Sequence, residues 1–524
     1  MRRRTLLTGG AATLLATPAI GQGTRAGTLR FVPAANLGVL DPIWSSDPVT
    51  ATHACYVYDT LYGMNARMQP SPQMADGHDI SADGRVWRIR LRDGLRFHDG
   101  EPVRAIDCVA SLQRWAAKKP FGQLLAQVVD AWAAADDHTI ELRLTRPFPL
   151  MLEALGAVDA PAYVMPERVA RLSPDAPLRE VVGSGPYRFV AAEYNNGSRA
   201  VYEKFDAYIP RPEPSQWTAG GKVAHYRRIE WHVMPDSGTT AAALTTGEVD
   251  WWDTPTPDLL PMLAGQRGIA LAANKPQGSL AVLRFNCVQP PFNNPAMRRA
   301  VRLAVHQPDY MQAAFGAESG LWTTCPSLWP RNTPYYTEAD AGLMPGDRAA
   351  AQAALKEAGY GGERIVVLAS SDRPLEYPVA HVTADLLRGL GMTVDVQSMD
   401  FATMVHRRTS REPVDKGGWH IFHAATLTAS LCGSPATSYV TRGPGRAGWF
   451  GWWSNPEVEA LAQDWAFAPD DTERHRVAAR IGHIALDEAA SIPLGQSYER
   501  TAFRTSITGI LPGNKAYPWN VRPA

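Results

Sequence analysis

The sequence predicts an α/β protein of two architectures, one split around the other, and three observations carry that reading. Several short segments alternate apolar and polar residues with period two, as half-buried antiparallel strands do. After about residue 345 long helices alternate with strands instead, the mark of a parallel α/β layer. Glycine (43) and proline (42) are plentiful, which supplies many turns between short elements. At 524 residues the chain is about three and a half domain equivalents long.

Taken in order, Thr28 to Pro33 reads as a strand. Trp87–Leu91 and Thr139–Leu144 alternate, and between them Val103 to about Lys118 has helical spacing after a Gly-Glu-Pro turn. Arg227 to Met234 alternates again, and Ala241–Thr246 ends at Gly247-Glu248-Val249-Asp250. Asp347 is placed to cap a helix ending at Gly359, and Arg364–Leu368 is apolar and β-branched. Val379–Leu390 is a helix and Met392–Val396 a strand, which completes a strand–helix–strand unit. Glu457–Trp465 and Asp471–Ala490 are two amphipathic helices.

Basic and acidic side chains number 52 each, so the formal net charge is zero. That excludes a nucleic-acid binder, which needs a basic face. With 45% hydrophobic and 20% charged residues the chain is globular rather than disordered. Tryptophan (16) and tyrosine (17) each exceed phenylalanine (14). Rings with a polar handle suit binding clefts, and equally the margins of a core.

Residues 1–22 read as a targeting segment. Arg2-Arg3-Arg4 precede Thr5-Leu6-Leu7 and a weakly apolar stretch, with Thr17-Pro18-Ala19 fit for cleavage. The R-R-x-L-L string resembles a twin-arginine signal, with a plain Sec signal as the alternative. The apolar stretch is too short for a membrane span, and elsewhere no run of eighteen apolar residues occurs. Five cysteines (55, 108, 287, 325 and 432) in an oxidising compartment allow a disulfide or two, or buried free thiols. Cys325 and Cys432, both in loop-like stretches, are the candidate bridge.

The chemical motifs are thin. Gly443-Pro-Gly-Arg-Ala-Gly448 fits G-x-G-x-x-G, but Trp449-Phe-Gly-Trp-Trp-Ser-Asn-Pro456 follows where a Rossmann turn needs a helix. Gly183-Ser184-Gly185 lacks the spacing of a nucleophile elbow. No Walker A string, H-E-x-x-H or calcium loop is present. His420 and His423, three apart on a strand, point to opposite faces, which argues against a zinc pair, and one of them is a candidate for lining a cleft. No catalytic constellation emerges, and no cofactor or metal is expected.

An ordered series of strings resembles the extracytoplasmic solute-binding proteins of ABC importers, in the dipeptide/oligopeptide/nickel-binding family (solute-binding protein family 5). The series is Tyr58-Asp-Thr-Leu-Tyr62, Leu91–Gly100 running on to Asp107, Gly183-Ser-Gly-Pro-Tyr187, Gly247-Glu-Val-Asp250, Phe285-Asn286 and Pro290–Asn294. It continues through Arg298-Arg-Ala300, Glu357-Ala-Gly-Tyr360, Ser454-Asn-Pro-Glu-Val458 and Ile492-Pro-Leu494. The resemblance implies a two-lobed periplasmic-binding-protein fold of the large, three-part type. Lobe I would comprise 28–70, 176–285 and 491–524; an antiparallel insertion, domain II, 71–175; and lobe III, 286–490. Two hinge crossings, near 280 and 490, would let the lobes close on a ligand.

It implies, further, a monomeric periplasmic protein that takes up a solute and delivers it to an inner-membrane permease with its ATPase subunits. In peptide-binding members an aspartate after the strand corresponding to His420–Ala425 pairs with the ligand ammonium. Here Thr426–Pro435 holds no acid, and a buried ammonium without a counter-charge is costly. Arg373, before Pro374, resembles the arginine that dipeptide binders place on the ligand carboxylate. The ligand-binding candidates are therefore Arg373, His423, Trp251, Trp252 and Asn36, and the solute is peptide-like or otherwise carboxylate-bearing. A nickel or metallophore carrier with His423 as ligand is the second expectation, and a secreted hydrolase, lacking any triad, the third.

Overall fold

The computed structural model describes residues 27–524 except 46, 174–177, 179, 274, 318–319, 374 and 429–432. Cys432 and the centre of the acid-free stretch therefore lie outside the described residues. The first part of the chain forms β1 (Thr28–Val32) and α1 (Pro48–Val57), then β2 (Ala75–Ile80), β3 (Val86–Leu91), α2 (Ala105–Lys118), β4 (Val129–Ala134) and β5 (Thr139–Leu144). It continues with β6 (Tyr187–Phe189), β7 (Arg199–Lys204), β8 (Arg228–His232), α3 (Ser237–Thr246), β9 (Trp251–Trp252) and β10 (Ile269–Ala273). The second part holds β11 (Ser279–Phe285), α4 (Pro295–Ala304), α5 (Gln307–Phe315), β12 (Trp322–Thr323) and α6 (Arg348–Glu357). Then follow β13 (Arg364–Ser370), α7 (Glu376–Gly389), β14 (Thr393–Met399), α8 (Phe401–Arg407) and β15 (Ile421–Thr428). Toward the C-terminus come α9 (Pro456–Ala466), α10 (Asp471–Asp487), β16 (Ser491–Ser497) and β17 (Arg500–Arg504).

Two large sheets organise these elements. The first has the order β10-β17-β9-β1-β8-β7-β6, and the second β12-β16-β11-β15-β13-β14. A separate sheet, β2-β3-β5-β4, is antiparallel throughout and packs beside α2. In the first sheet β1 is parallel to β8 and β9. In the second, β13 is parallel to β14 and β15.

The boundaries expected at 285 and 490 move. Strands β11 and β16, assigned by resemblance to lobe I, pair with each other and β11 pairs with β15, so both belong to the second sheet. Every residue of each is buried, and two such strands need neighbours on both sides and cover on both faces. The crossings between sheets accordingly fall at 275–278 and 498–499.

The strings singled out in the sequence turn out to be fasteners. Asp59 accepts from Lys222 at 2.7 Å and from Tyr208 at 2.8 Å inside lobe I. Asp107 accepts from the Arg104 amide at the start of α2 at 2.9 Å and from the Glu167 amide at 2.7 Å. Asp250 takes the Arg30 guanidinium through both oxygens, locking β1 to the turn before β9. A Cβ on Gly183 would stand 2.0 Å from the Val57 carbonyl oxygen, so only glycine lets that loop lie against the end of α1.

Arg298, Arg299 and Arg302 on α4 clamp the C-terminal end of α10. Arg298 donates to the Glu488 and Phe292 carbonyls at 2.9 and 2.7 Å, and Arg302 to those of Leu486 and Asp487 at 2.6 Å each. The last carbonyls of a helix lack intrahelical partners and carry partial negative charge, which guanidinium satisfies on both counts. Arg298→Met should therefore cost about 2–4 kcal/mol in denaturant unfolding, because two buried carbonyls lose charged donors. Arg299→Met, whose side chain is 43% exposed, should cost under about 1 kcal/mol. Equal losses would show that burial does not separate the two.

Candidate functional site

Strand direction brings the two sheets edge to edge. Both β9 and β10 run antiparallel to β17, so β1, β8, β9 and β10 all end at the same edge of the first sheet. In the second sheet β13, β14 and β15 end at the edge where β11 begins and β16 finishes. The chain leaves the first sheet at the end of β10 and enters the second at the start of β11, so the carboxyl ends of both sets of strands face one crevice. In open α/β sheets that is where ligands bind.

The floor of the crevice is the pair of crossings. Lys275 Nζ lies 2.6 Å from Glu499 Oε2, and Ser279 Oγ donates to the other Glu499 oxygen at 3.4 Å. Burial works against the Lys275 charge, but Glu499 and Asp253 more than offset it, so its pKa stands above the ordinary lysine value. Gln496 spans the crossings, donating to the Gln277 carbonyl at 2.5 Å and accepting from the Arg331 amide at 2.7 Å. Gly278 has φ +72, and a Cβ there would meet the Ser497 carbonyl oxygen at 2.6 Å. Sequence reasoning missed this assembly. Its partners are separated by 165 to 224 residues and carry no local pattern.

Arg373 stands on the rim, three residues past the end of β13. Its Nη2 lies 3.3 Å from Glu376 Oε1, and its guanidinium sits 4.7 Å from the centre of the Phe401 ring at the start of α8. Its Nε is buried without a hydrogen-bond partner, while the side chain as a whole is 31% exposed. Ring and carboxylate hold the guanidinium in place and leave donors over. Asn36, on the loop after β1, is exposed; it donates to Asn196 Oδ1 and accepts from the Gly197 amide, both at 2.9 Å.

Three other candidates are core residues, which corrects the reading of them as cleft lining. Trp251 and Trp252 are neighbours on one strand and so take opposite faces of the sheet. Trp251 packs edge-on against Phe31 at 4.8 Å and donates to Thr501 Oγ1 at 2.7 Å. Trp252 is buried with Val32, Ala241, Leu244 and Ala502. Both faces of the first sheet are covered, so neither indole reaches the crevice. His423 is buried beneath α7, its Nε2 2.8 Å from Thr383 Oγ1, which donates in turn to Tyr310 Oη at 3.2 Å. His420 is likewise structural, hydrogen-bonded to the Val366 amide and the Pro290 carbonyl. Cys325 is a buried free thiol facing the Ser327 and Trp329 carbonyls.

Among the described residues no group of three or more His, Cys, Asp or Glu side chains is arranged to hold a metal ion. No described helix is long and apolar enough to cross a membrane.

Known proteins resemble this chain over most of its length. The pattern of the bacterial extracellular solute-binding proteins, family 5 (middle portion), matches residues 69–445. A probable peptide ABC transporter periplasmic-binding protein of Sinorhizobium fredii is 34% identical over 93% of this chain and 92% of its own length. A glutathione-binding protein of Pectobacterium atrosepticum is 29% identical over 83% of this chain and 81% of its own. The solved structure of the binding protein AgaA with agropinic acid, from A. tumefacien R10, superposes with a TM-score of 0.80. It has 22% identity and covers 95% of this chain and 99% of that one, a likeness of fold.

Burial drives the His423 pKa down to about 3, that of His53 to about 3 and that of His98 to about 4. All three are depressed below the ordinary 6.5, so the folded state resists protons that the unfolded chain accepts. Their stabilisation is complete above about pH 6.5 and is lost as pH falls toward the folded values, by about 1.4 kcal/mol per pH unit for each group. Unfolding measured from pH 6 to pH 4 should show a slope that His423→Leu flattens by about 1.4 kcal/mol per unit. An unaltered slope would mean that His423 titrates normally and is not sealed in the core.

Proposed function

Because the chain belongs to the bacterial extracellular solute-binding proteins of family 5, we propose that it captures a peptide-like or other carboxylate-bearing solute in the crevice between its two sheets. It then delivers that solute to an inner-membrane ABC permease driven by ATPase subunits. It binds without converting its ligand. It works in the periplasm as a soluble monomer, exported by a twin-arginine-like segment over residues 1–22 and slightly acidic once that segment is removed.

The observation that carries this reading is Arg373 at the carboxyl end of β13, with guanidinium donors left over after Glu376 and Phe401 have oriented it. Guanidinium matches a carboxylate with two parallel hydrogen bonds, and closure of the lobes removes the water that would screen them. Asn36 offers an amide from the opposite rim. The relatives support the class: one is named for peptides and one for glutathione, and agropinic acid occupies the structural neighbour. With no acid between Thr426 and Pro435, recognition leans on the ligand's carboxylate rather than its ammonium. The nickel reading loses its main support, since His423 is sealed beneath α7.

Arg373→Ala should weaken solute binding by roughly 10- to 150-fold, the worth of a hydrogen bond to a charged group at about 1.5–3 kcal/mol. Calorimetry with the co-purified solute, its amidated form and its amine-blocked form checks the orientation. Amidation should cost as much as the substitution, and blocking the amine far less. Full affinity for the amidated form, or for Arg373→Ala, would put the anchor elsewhere.

A further inference from the structure

The lobes meet at a second place, remote from the crossings. The loop after β5 in domain II carries Arg146 and Phe148, and Phe467 follows the end of α9 in lobe III. The Arg146 guanidinium lies 3.5 Å from the centre of the Phe467 ring. The Phe148 ring packs edge-on against the same ring at 5.9 Å and is 1% exposed. On the lobe III side Tyr335 continues the contact, its ring 5.9 Å from Trp465 and 6.1 Å from Trp329. Arg146 is an exposed residue, yet its guanidinium lies over an aromatic face of the other body.

We propose that Arg146, Phe148 and Phe467 form a latch that holds the crevice closed and so helps set its affinity, a role that rests on the two-lobed clamp described above. Two bodies joined by a pair of crossings rotate about them freely unless a second contact resists. This contact belongs to neither crossing and joins domain II, fixed to lobe I, with lobe III. Phe467 sits on one body and both of its partners on the other, so rotation between the bodies acts on this contact. A cation over a ring and an edge-on aromatic pair are each favourable beyond the area they bury, so the latch biases the open–closed equilibrium whether or not solute is present. Affinity follows the closed fraction, because a ligand that needs the closed state binds in proportion to its population.

Single-molecule energy transfer on the full chain tests this, with labels on Ala135→Cys and Lys356→Cys in a background where Cys287 and Cys432 are serine. The ratio of open to closed molecules without solute should rise about threefold in Arg146→Ala and about tenfold in Phe467→Ala, tenfold being about 1.4 kcal/mol. Phe467→Tyr should restore the wild-type ratio. Arg146→Ala should add nothing in the Phe467→Ala background, since the cation acts through that ring. Should Phe467→Ala fail to fold, Arg146→Ala, an exposed position, carries the test alone. Unchanged ratios, or a full Arg146 effect without the ring, would overturn the latch. A single wild-type distance with and without co-purified solute would overturn the clamp itself and the latch with it.

Discussion

The backbone passes between the two sheets at 275–278 and 498–499, and it does so at the edge where the parallel strands of both sheets end. Strand direction thereby brings the loops following β1 and β9 on one side to face those following β13 and β14 on the other, where the proposed ligand would be met. The same two segments are tied to each other and to the second sheet. Lys275 and Glu499 are paired across them, Gln496 ties them to the Gln277 carbonyl, and Gly278 adopts a backbone conformation closed to larger residues. On the proposed reading, small changes of dihedral angle there turn one sheet against the other.

Much of the fold was legible in the sequence. The helices over 105–118, 348–357 and 471–487 lie within a few residues of the spacing that announced them, and Asp347 caps its helix through the Ala350 amide. The motif strings were legible as a family pattern, and the structure gives their physical content. Asp59, Asp107, Asp250 and Gly183 fasten loops that carry no regular hydrogen bonding of their own, so a change at any of them leaves buried polar groups unsatisfied or a carbonyl crowded. The strands at the lobe boundary were misplaced for a definite reason. Full burial tells that a strand is central, but not to which of two sheets.

The candidate site was legible in part. Arg373 and Asn36 follow strand ends, and topology carries such residues to the crevice rim. Trp251, Trp252 and His423 lie within strands, where the period of two fixes which residues oppose each other but not whether the facing side is solvent or helix. Here both sides are covered, α3 lying over Trp252 and α7 over His423. The Lys275–Glu499 pair and the Phe148–Phe467 contact join residues hundreds of positions apart. Only the folded chain shows them.

The central claim is that solute is held between the facing carboxyl ends of the two sheets and that the two crossings are the moving parts. Amide hydrogen exchange of the full chain, with and without its co-purified solute, tests it most directly. Protection should appear together at Asp253–Pro255, Ser370–Arg373 and Asp400–Phe401, with altered exchange at 275–278 and 498–499 and little change in the far halves of the sheets. Protection confined to one lobe, or placed on an outer face with the crossings unaffected, would contradict it.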